Sequence, residues 1–439
     1  MIYNAHFVGF SITDGNWRAY LHCQTPSDAI GYNNLMDSIV SYISREQRSF
    51  TELPFNPVDS LVFCALCYLN FERCSDCSLF DLGDTLDTHT QQGVLLGDIL
   101  ALVPFHELSK SSWLEDSDQT EHFLIALRAS RRYREVTVSL YANEYSKAID
   151  KQFSACTFRF EDACGQVAYI AFRGTDGSFT GWKEDFNLAY QPVISSQRTA
   201  LAYVSGVASA FGDRLIFGGH SKGGNLAEYA ALCCDEIVFN RIEYVFDHDG
   251  PSFLTDPSPR RDSEAYACKL RKLVPESSAF GMILERRKDY RVVQSSAFAV
   301  FQHNPYSWLV EDDDFVYQDE INSSAHFFDE ALDTWLRSKT PDERERFIQT
   351  IYDLFVEIDA ESWSEFQENI ATNIASMIGA SSKLDPETKR FVKSTIAGLG
   401  STLRDQTVDR LRALAPRNFR SMIRRGNENA ADPSHENGR

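Results

Sequence analysis

Residues 214–231 read RLIFGGHSKGGNLAEYAA: an apolar run, a turn in which four glycines surround one serine, and then an amphipathic helical pattern. A run without polar alternation is what a strand covered on both faces requires. A helix that begins directly after it must leave through a turn that only small residues permit. Gly219-His220-Ser221-Lys222-Gly223 fits G-x-S-x-G, in which a serine occupies a strained strand-to-helix turn and its hydroxyl stands above the sheet edge. The competing use of a glycine-rich turn is to cradle a phosphate at a helix N-terminus. The strand before, the helix after and the partners available downstream favour a nucleophile at Ser221. The Lys222 amide, first in the helix, would then point at a developing oxyanion.

The segments around this turn predict a parallel or mixed sheet with crossover helices. Strand-like runs at 136–141, 153–160, 167–172, 214–218, 242–247 and 269–274 alternate with helical stretches around 196–211 and 224–234. VAYIAF and RLIFGG, apolar throughout, are the expected centre. Upstream, short strands and turns to about residue 30 give way to a helix over Asn34–Ser44. A second helix, SLVFCALCYLNFE, opens on Pro57 and is apolar on nearly every face. Downstream of Ser324 the helical period dominates, with start signals at Thr340-Pro341-Asp342-Glu343 and Asp385-Pro386-Glu387. The expected organisation is an N-terminal lead-in over 1–130, an α/β core over 131–320, an α-helical lobe over 321–425 and a disordered tail over 426–439.

Composition narrows the partners. Lys and Arg number 43 against 63 Asp and Glu, a formal charge of -20 that repels phosphate backbones and argues against nucleic acid. The start, MIYNAH, has neither the basic nor the apolar part of an export signal, and no stretch of about 18 apolar residues occurs, so a cytoplasmic protein is expected. The ten cysteines then read as reduced thiols. Cys64-x-x-Cys67 and Cys74-x-x-Cys77 resemble a four-thiolate zinc site only superficially. Six residues separate the pairs, and the first pair sits in an apolar helix where Cys behaves as a small hydrophobe. No metal or organic cofactor is expected.

A second motif, VAYIAFRGTDGSFTGWKED at 167–185, puts an apolar strand directly before Arg173-Gly174-Thr175-Asp176. Together with GHSKGGNLA it resembles the class-3 lipases, whose strand-end F-R-G-(S/T) turn, followed by a Trp and an Asp, carries the other oxyanion donor. The resemblance assigns that role to Thr175. The pieces FTELPFNPVDSLVFCALCYLNFE, QFSACTF, AFRGTD, GHSKGGNLAEYAA, FDHDGPSF, VPESSAFGMIL and VVQSSAFAVFQHNPYSWLV are similar to an uncharacterised bacterial family of class-3-lipase-like α/β-hydrolases, sometimes called Mbeg-like. They run in the family's order from residue 50 to 310. An α/β-hydrolase fold is implied, but no substrate.

A serine nucleophile needs a base and an orienting acid, which in this fold follow in the order Ser, Asp or Glu, His. Four histidines lie beyond Ser221. His248 is too close to the turn's own helix-strand unit, His326 starts a surface helix and His435 lies in the tail. His303 remains, after the strand-like run VVQSSAFAVF and before a Pro turn. For the acid, Asp249 ends the strand after the helix and precedes Gly250-Pro251, with Asp247 two residues earlier on the same strand face. Class-3 lipases take their acid from a later strand end, where this chain reads Lys272-Leu-Val-Pro-Glu276 without the expected Asp. Asp249 is preferred, and Glu276 is the alternate. The expected chemistry is cleavage of an ester or related acyl bond in a small molecule or lipid. The rival reading is a silent hydrolase-like scaffold that binds a partner through its helical lobe.

Overall fold

The computed structural model describes residues 5–13, 16–23, 38–74, 88–109, 118–176 and 179–322, together with 325, 336, 339–346, 349, 386 and 390. The chain divides after Asp37 into two units. The first is a hairpin of Ala5–Thr13 against Asn16–Cys23, antiparallel, with an irregular register between Phe7 and Gly9.

The second unit is built on a mixed sheet with nine strands among the described residues. These are β1 (Val94–Leu95), β2 (Thr137–Ser146), β3 (Lys151–Asp162), β4 (Gly165–Phe172), β5 (Arg214–His220), β6 (Ile242–His248), β7 (Leu270–Pro275), β8 (Tyr290–Val293) and β9 (Tyr317–Gln318). Their spatial order is their sequence order. β4 to β8 are parallel, and the strands at both ends run antiparallel to their neighbours. The chain is therefore mixed α/β with a large central sheet.

Right-handed crossovers that always step in one direction deliver their helices to one face of a sheet. Helices α3 (Ser195–Ala210) and α4 (Lys222–Cys233), which follow α2 (Phe179–Asn187) in the chain, share such a face, where Ala200, Val204, Leu226, Ala227 and Ala230 meet Ala168, Ile170, Phe172, Leu215 and Phe217. The opposite face, holding Val167, Tyr169, Ala171, Ile216 and Phe246, would be left wet. It is covered instead by α1 (Pro57–Leu66), whose Leu61, Val62, Phe63 and Leu66 are wholly buried in the same cluster. This two-sided burial is why VAYIAF lacks alternation even though successive residues point to opposite faces.

Local chemistry starts α1 and packing maintains it. The Asn56 side chain accepts from the amides of Val58 and Asp59, the Asp59 carboxylate accepts in turn from the Asn56 amide, and Pro57 occupies the first turn. Burying each of Leu61, Val62, Phe63 and Leu66 contributes about 1.5–3 kcal/mol. That exceeds several-fold the few tenths of a kcal/mol by which Val and Phe trail Ala in helix propensity, roughly.

Asp59 also anchors the lead-in. Its carboxylate takes a bidentate pair from Arg132 at 2.8 and 2.6 Å and a bond from the Tyr133 hydroxyl at 2.6 Å, while Arg132 Nη1 donates to the carbonyls of Arg48 and Leu53. Both charged side chains are fully buried. Arg132→Met would leave Asp59 as a lone charge in the core, so a loss of about 3–5 kcal/mol is expected, read as a lower midpoint in urea unfolding.

Three sequence expectations meet the structure differently. The run Val292–Phe301 is not one strand. Pairing ends at Val293, Ser295 bridges to Trp308, and Ala299, at φ 48°, opens a short 3-10 helix to His303. Ser295 and Ser296 break the apolar run by donating to the hydroxyl and the carbonyl of Ser307, which folds the chain back. The start signal at Thr340 is present, with Thr340 and Glu343 exchanging bonds ahead of helical residues 341–346. Most of the expected C-terminal lobe, His326, the tail with His435, and Cys77 lie outside the described residues. Among the described residues, no helix is long and apolar enough to cross a membrane. Cys64 and Cys67 are buried free thiols, and burial pushes both up from the usual thiol range.

Candidate active site at the C-terminal edge of the sheet

Ser221 stands between β5 and α4 with φ 60° and ψ -132°, a backbone conformation that costs a non-glycine residue about 1–3 kcal/mol. The neighbours hold it there. Its amide donates to the His248 carbonyl at the end of β6 at 2.9 Å, and its carbonyl accepts from Gly224 at 2.9 Å. The flanking glycines are a packing requirement. A methyl on Gly219 would lie 2.0 Å from the Gly223 carbonyl carbon, and one on Gly223 would lie 2.1 Å from the Phe172 carbonyl oxygen. Ser221 itself is only half-buried.

The turn after β4 closes over the same point. A methyl on Gly174 would meet Ser221 Cβ at 3.0 Å and the Tyr68 hydroxyl at 2.2 Å, which measures how closely the Arg173-Gly174-Thr175 turn approaches the serine. The Thr175 hydroxyl donates to Asp185. With that proton committed, the donor Thr175 can offer a ligand is its main-chain N–H. The Lys222 side chain is buried, donating to the Gln152 carbonyl and Oε1 and to Glu184. Burial pushes the Asp185 carboxyl up to about 6, against the pull of the Lys222 ammonium.

Asp249 and His303 meet although 54 residues separate them: His303 Nδ1 lies 2.6 Å from Asp249 Oδ2. Asp249 is fully buried at φ 58°, its amide bonded to the Leu273 carbonyl. Its other oxygen, Oδ1, accepts from Ser278 Oγ at 2.5 Å and from the Gly281 amide at 3.1 Å. A carboxylate on Nδ1 selects the tautomer that carries its proton there and leaves Nε2 as an acceptor. The His303 ring, with 14% of the side chain exposed, packs near the rings of His220 at 4.5 Å and Phe280 at 4.3 Å. His220 is the residue before Ser221. Its Nε2 donates to the His303 carbonyl at 2.8 Å, and its Nδ1 accepts from the Tyr68 hydroxyl at 3.0 Å. That pattern needs neutral imidazole, and burial together with the nearby His303 ring holds His220 well below the usual histidine range.

The remaining candidates stand elsewhere. Glu276 accepts from Gln302 at 2.9 Å and from Gln318, so it braces the segment that carries His303 while His303 Nδ1 is bonded to Asp249. Asp247 takes the Lys272 ammonium at 2.6 Å and the Gly250 amide at 2.7 Å, closing the tight turn that presents Asp249. His248 is buried on the α1 side against Ser60 Oγ at 2.8 Å, and burial pushes it down to about 3. Among the described residues, no group of three or more His, Cys, Asp or Glu could hold a metal ion.

Four supporting residues escaped the sequence reading. Ser278, Phe280 and Gly281 lie within VPESSAFGMIL, two to five positions from the Glu276 that drew attention as an acid. His220 occupies the free position of the G-x-S-x-G pattern. A polar aromatic residue there, directly before the turn serine, was the available signal.

The model of the Mbeg1-like family matches residues 127–353, which is 227 of the 439 positions. No curated protein matches the chain. Among solved structures, one titled as the crystal structure of M37 lipase is similar at 14% identity, over 43% of this chain and 69% of its own, with a TM-score of 0.27.

Proposed function

The chain belongs to the Mbeg1-like family, and from that premise and the geometry of the sheet edge we propose that it is a serine hydrolase of α/β-hydrolase fold, cleaving an ester or related acyl bond. One observation carries the reading: a half-buried serine strained to φ 60° shares its edge with a buried carboxylate that holds a partly exposed imidazole at 2.6 Å. A structural turn has no need of that pair, and an anion-binding turn has no need of a strained hydroxyl.

The step follows from the groups present. Ser221 Oγ adds to the acyl carbonyl carbon as its proton passes to His303 Nε2, and Asp249 balances the resulting imidazolium across Nδ1. The carbonyl π electrons move to oxygen, where the amides of Thr175 and Lys222 receive them. Each such donor is worth on the order of 10²–10³ in rate. Collapse expels the alcohol with the proton from Nε2. Water then attacks the acyl-serine by the same route, releasing the acid and restoring Ser221. The substrate is a small-molecule or lipid acyl ester, and no cofactor takes part.

Acylation faster than deacylation leaves a kinetic mark. Mixing the protein with excess 4-nitrophenyl butyrate is expected to release close to one equivalent of 4-nitrophenolate in a burst before the steady phase. A folded protein that releases none, in burst or steady state, would favour a binding scaffold.

A further inference from the structure

We propose that the Lys222 side chain is a positioning residue for the oxyanion hole, joining with Asp185 and Glu184 in a strap, buried at Lys222 and Glu184, that ties Thr175 to Lys222. These are the two residues whose amides receive the oxyanion in the reading above, on which this inference rests. The strap runs through hydrogen bonds and one longer ion-pair contact, at Asp185 Oδ1, which accepts no hydrogen bond among the described residues. The Thr175 hydroxyl donates to Asp185 Oδ2, and Asp185 Oδ1 lies 3.7 Å from Lys222 Nζ. The ammonium then donates to Glu184 Oε2 at 3.1 Å and to the Gln152 carbonyl and Oε1, each at 2.9 Å. Glu184 continues it, with Oε1 accepting from the Ser196 amide at 2.9 Å and Oε2 from Ser196 Oγ at 2.8 Å and the Gln152 amide at 3.0 Å. Four elements meet there: β3, the helix Phe179–Asn187, α3 and α4.

The location is costly for a lysine. Its side chain and that of Glu184 are each 1% exposed. Desolvating an ion pair costs several kcal/mol per ion, roughly, and an apolar pair of similar volume is often as stable. Stability is therefore a poor account of this cluster, whereas geometry is a good one. An oxyanion donor works only when its N–H lies about 2.7–3.1 Å from the oxygen it receives. The Lys222 amide is set by the start of α4, but Thr175 sits on the turn beyond β4, past the last register pair, Phe172 with Gly219. Asp185, pulled toward the Lys222 ammonium, fixes that turn by its hydroxyl. One side chain thus registers both donors against each other.

The test compares Lys222→Met and the double variant Lys222→Met/Glu184→Gln, which leaves neither partner of the pair charged, with wild type. Steady-state hydrolysis of 4-nitrophenyl butyrate gives kcat and KM. Inhibition by an alkyl trifluoromethyl ketone reads the hole directly, because Ser221 adds to its carbonyl and the new oxyanion occupies the donor site. In the folded fraction, kcat is expected to fall about 10- to 100-fold, as for a reacting geometry displaced by up to an ångström. KM should stay within about twofold, and ketone affinity should fall in proportion to kcat. Wild-type kcat and ketone affinity in either folded variant would overturn the strap, as would a rise in KM alone, even with a lowered melting temperature. A wild-type protein that hydrolyses no ester defeats the hydrolase reading itself, an outcome distinct from active wild type with indifferent variants.

Discussion

Replacing Ser221 with alanine is expected to lower kcat on an activated ester by about 10⁶-fold while leaving the fold intact. The hydroxyl has no structural bond to lose that the backbone does not already make, since the amide and carbonyl of Ser221 carry the contacts to His248 and Gly224. Ser221→Gly separates stability from activity more sharply. Glycine adopts φ 60° without the steric penalty of a side chain, so this variant should be equally inactive yet melt a few degrees higher, recovering part of the roughly 1–3 kcal/mol held in the turn. Activity loss and stability gain at one position would mark the strain as functional. If Ser221→Gly melts lower than wild type, the positive φ is not a stored cost and that part of the account is wrong.

The second large effect is expected at Asp249. Asp249→Asn keeps the volume and tolerates φ 58°, because Asn enters the left-handed region readily. Its amide oxygen can still accept from Ser278 and the Gly281 amide, as Oδ1 does now. The amide nitrogen would then face His303 Nδ1 as a donor, forcing the proton onto Nε2, the nitrogen that must receive it from Ser221. A fall in kcat of about 10⁴-fold, with KM little changed, is expected from stopped-time ester assays. Glu276→Gln should cost far less, since its partners are Gln302 and Gln318. Equal losses at the two positions would mean that the imidazole is oriented through the Gln302 segment and not by the carboxylate it touches.

Some of this was legible in the residues and some was not, for physical reasons. The turn at Ser221 was legible because close packing of strand, turn and helix leaves no room for a side chain at Gly219 or Gly223, and sequence records that directly. The two-sided burial of β4 and β5 was legible for the same kind of reason, as apolar runs without alternation. The monotonic strand order was not, because no residue pattern states which strand pairs with which. Yet that order explains why an apolar lead-in helix exists, since the crossover helices α3 and α4 pack on one face only. The run Val292–Phe301 misleads because its β-branched and aromatic residues suit a strand, while the hydroxyls of Ser295 and Ser296, bonded around Ser307, divert it. The environment of Asp249 was hidden by distance: its donors lie 29 and 32 residues away, in a segment where a nearer-looking carboxylate, Glu276, held attention. The Lys222 side chain was hidden because its partners Gln152 and Glu184 lie 70 and 38 residues away, and only the folded chain brings them to it.

The central claim is that one serine hydroxyl is activated at this edge, and covalent trapping tests it most directly. Incubation with a fluorophosphonate lets Ser221 Oγ displace fluoride from phosphorus, adding one phosphonyl group of known mass. Peptide mass mapping of the full chain is expected to find that adduct on Ser221, at one equivalent, with none on the Ser221→Ala protein. Folded wild-type protein that stays unmodified, or that carries the adduct on another residue, would contradict the account.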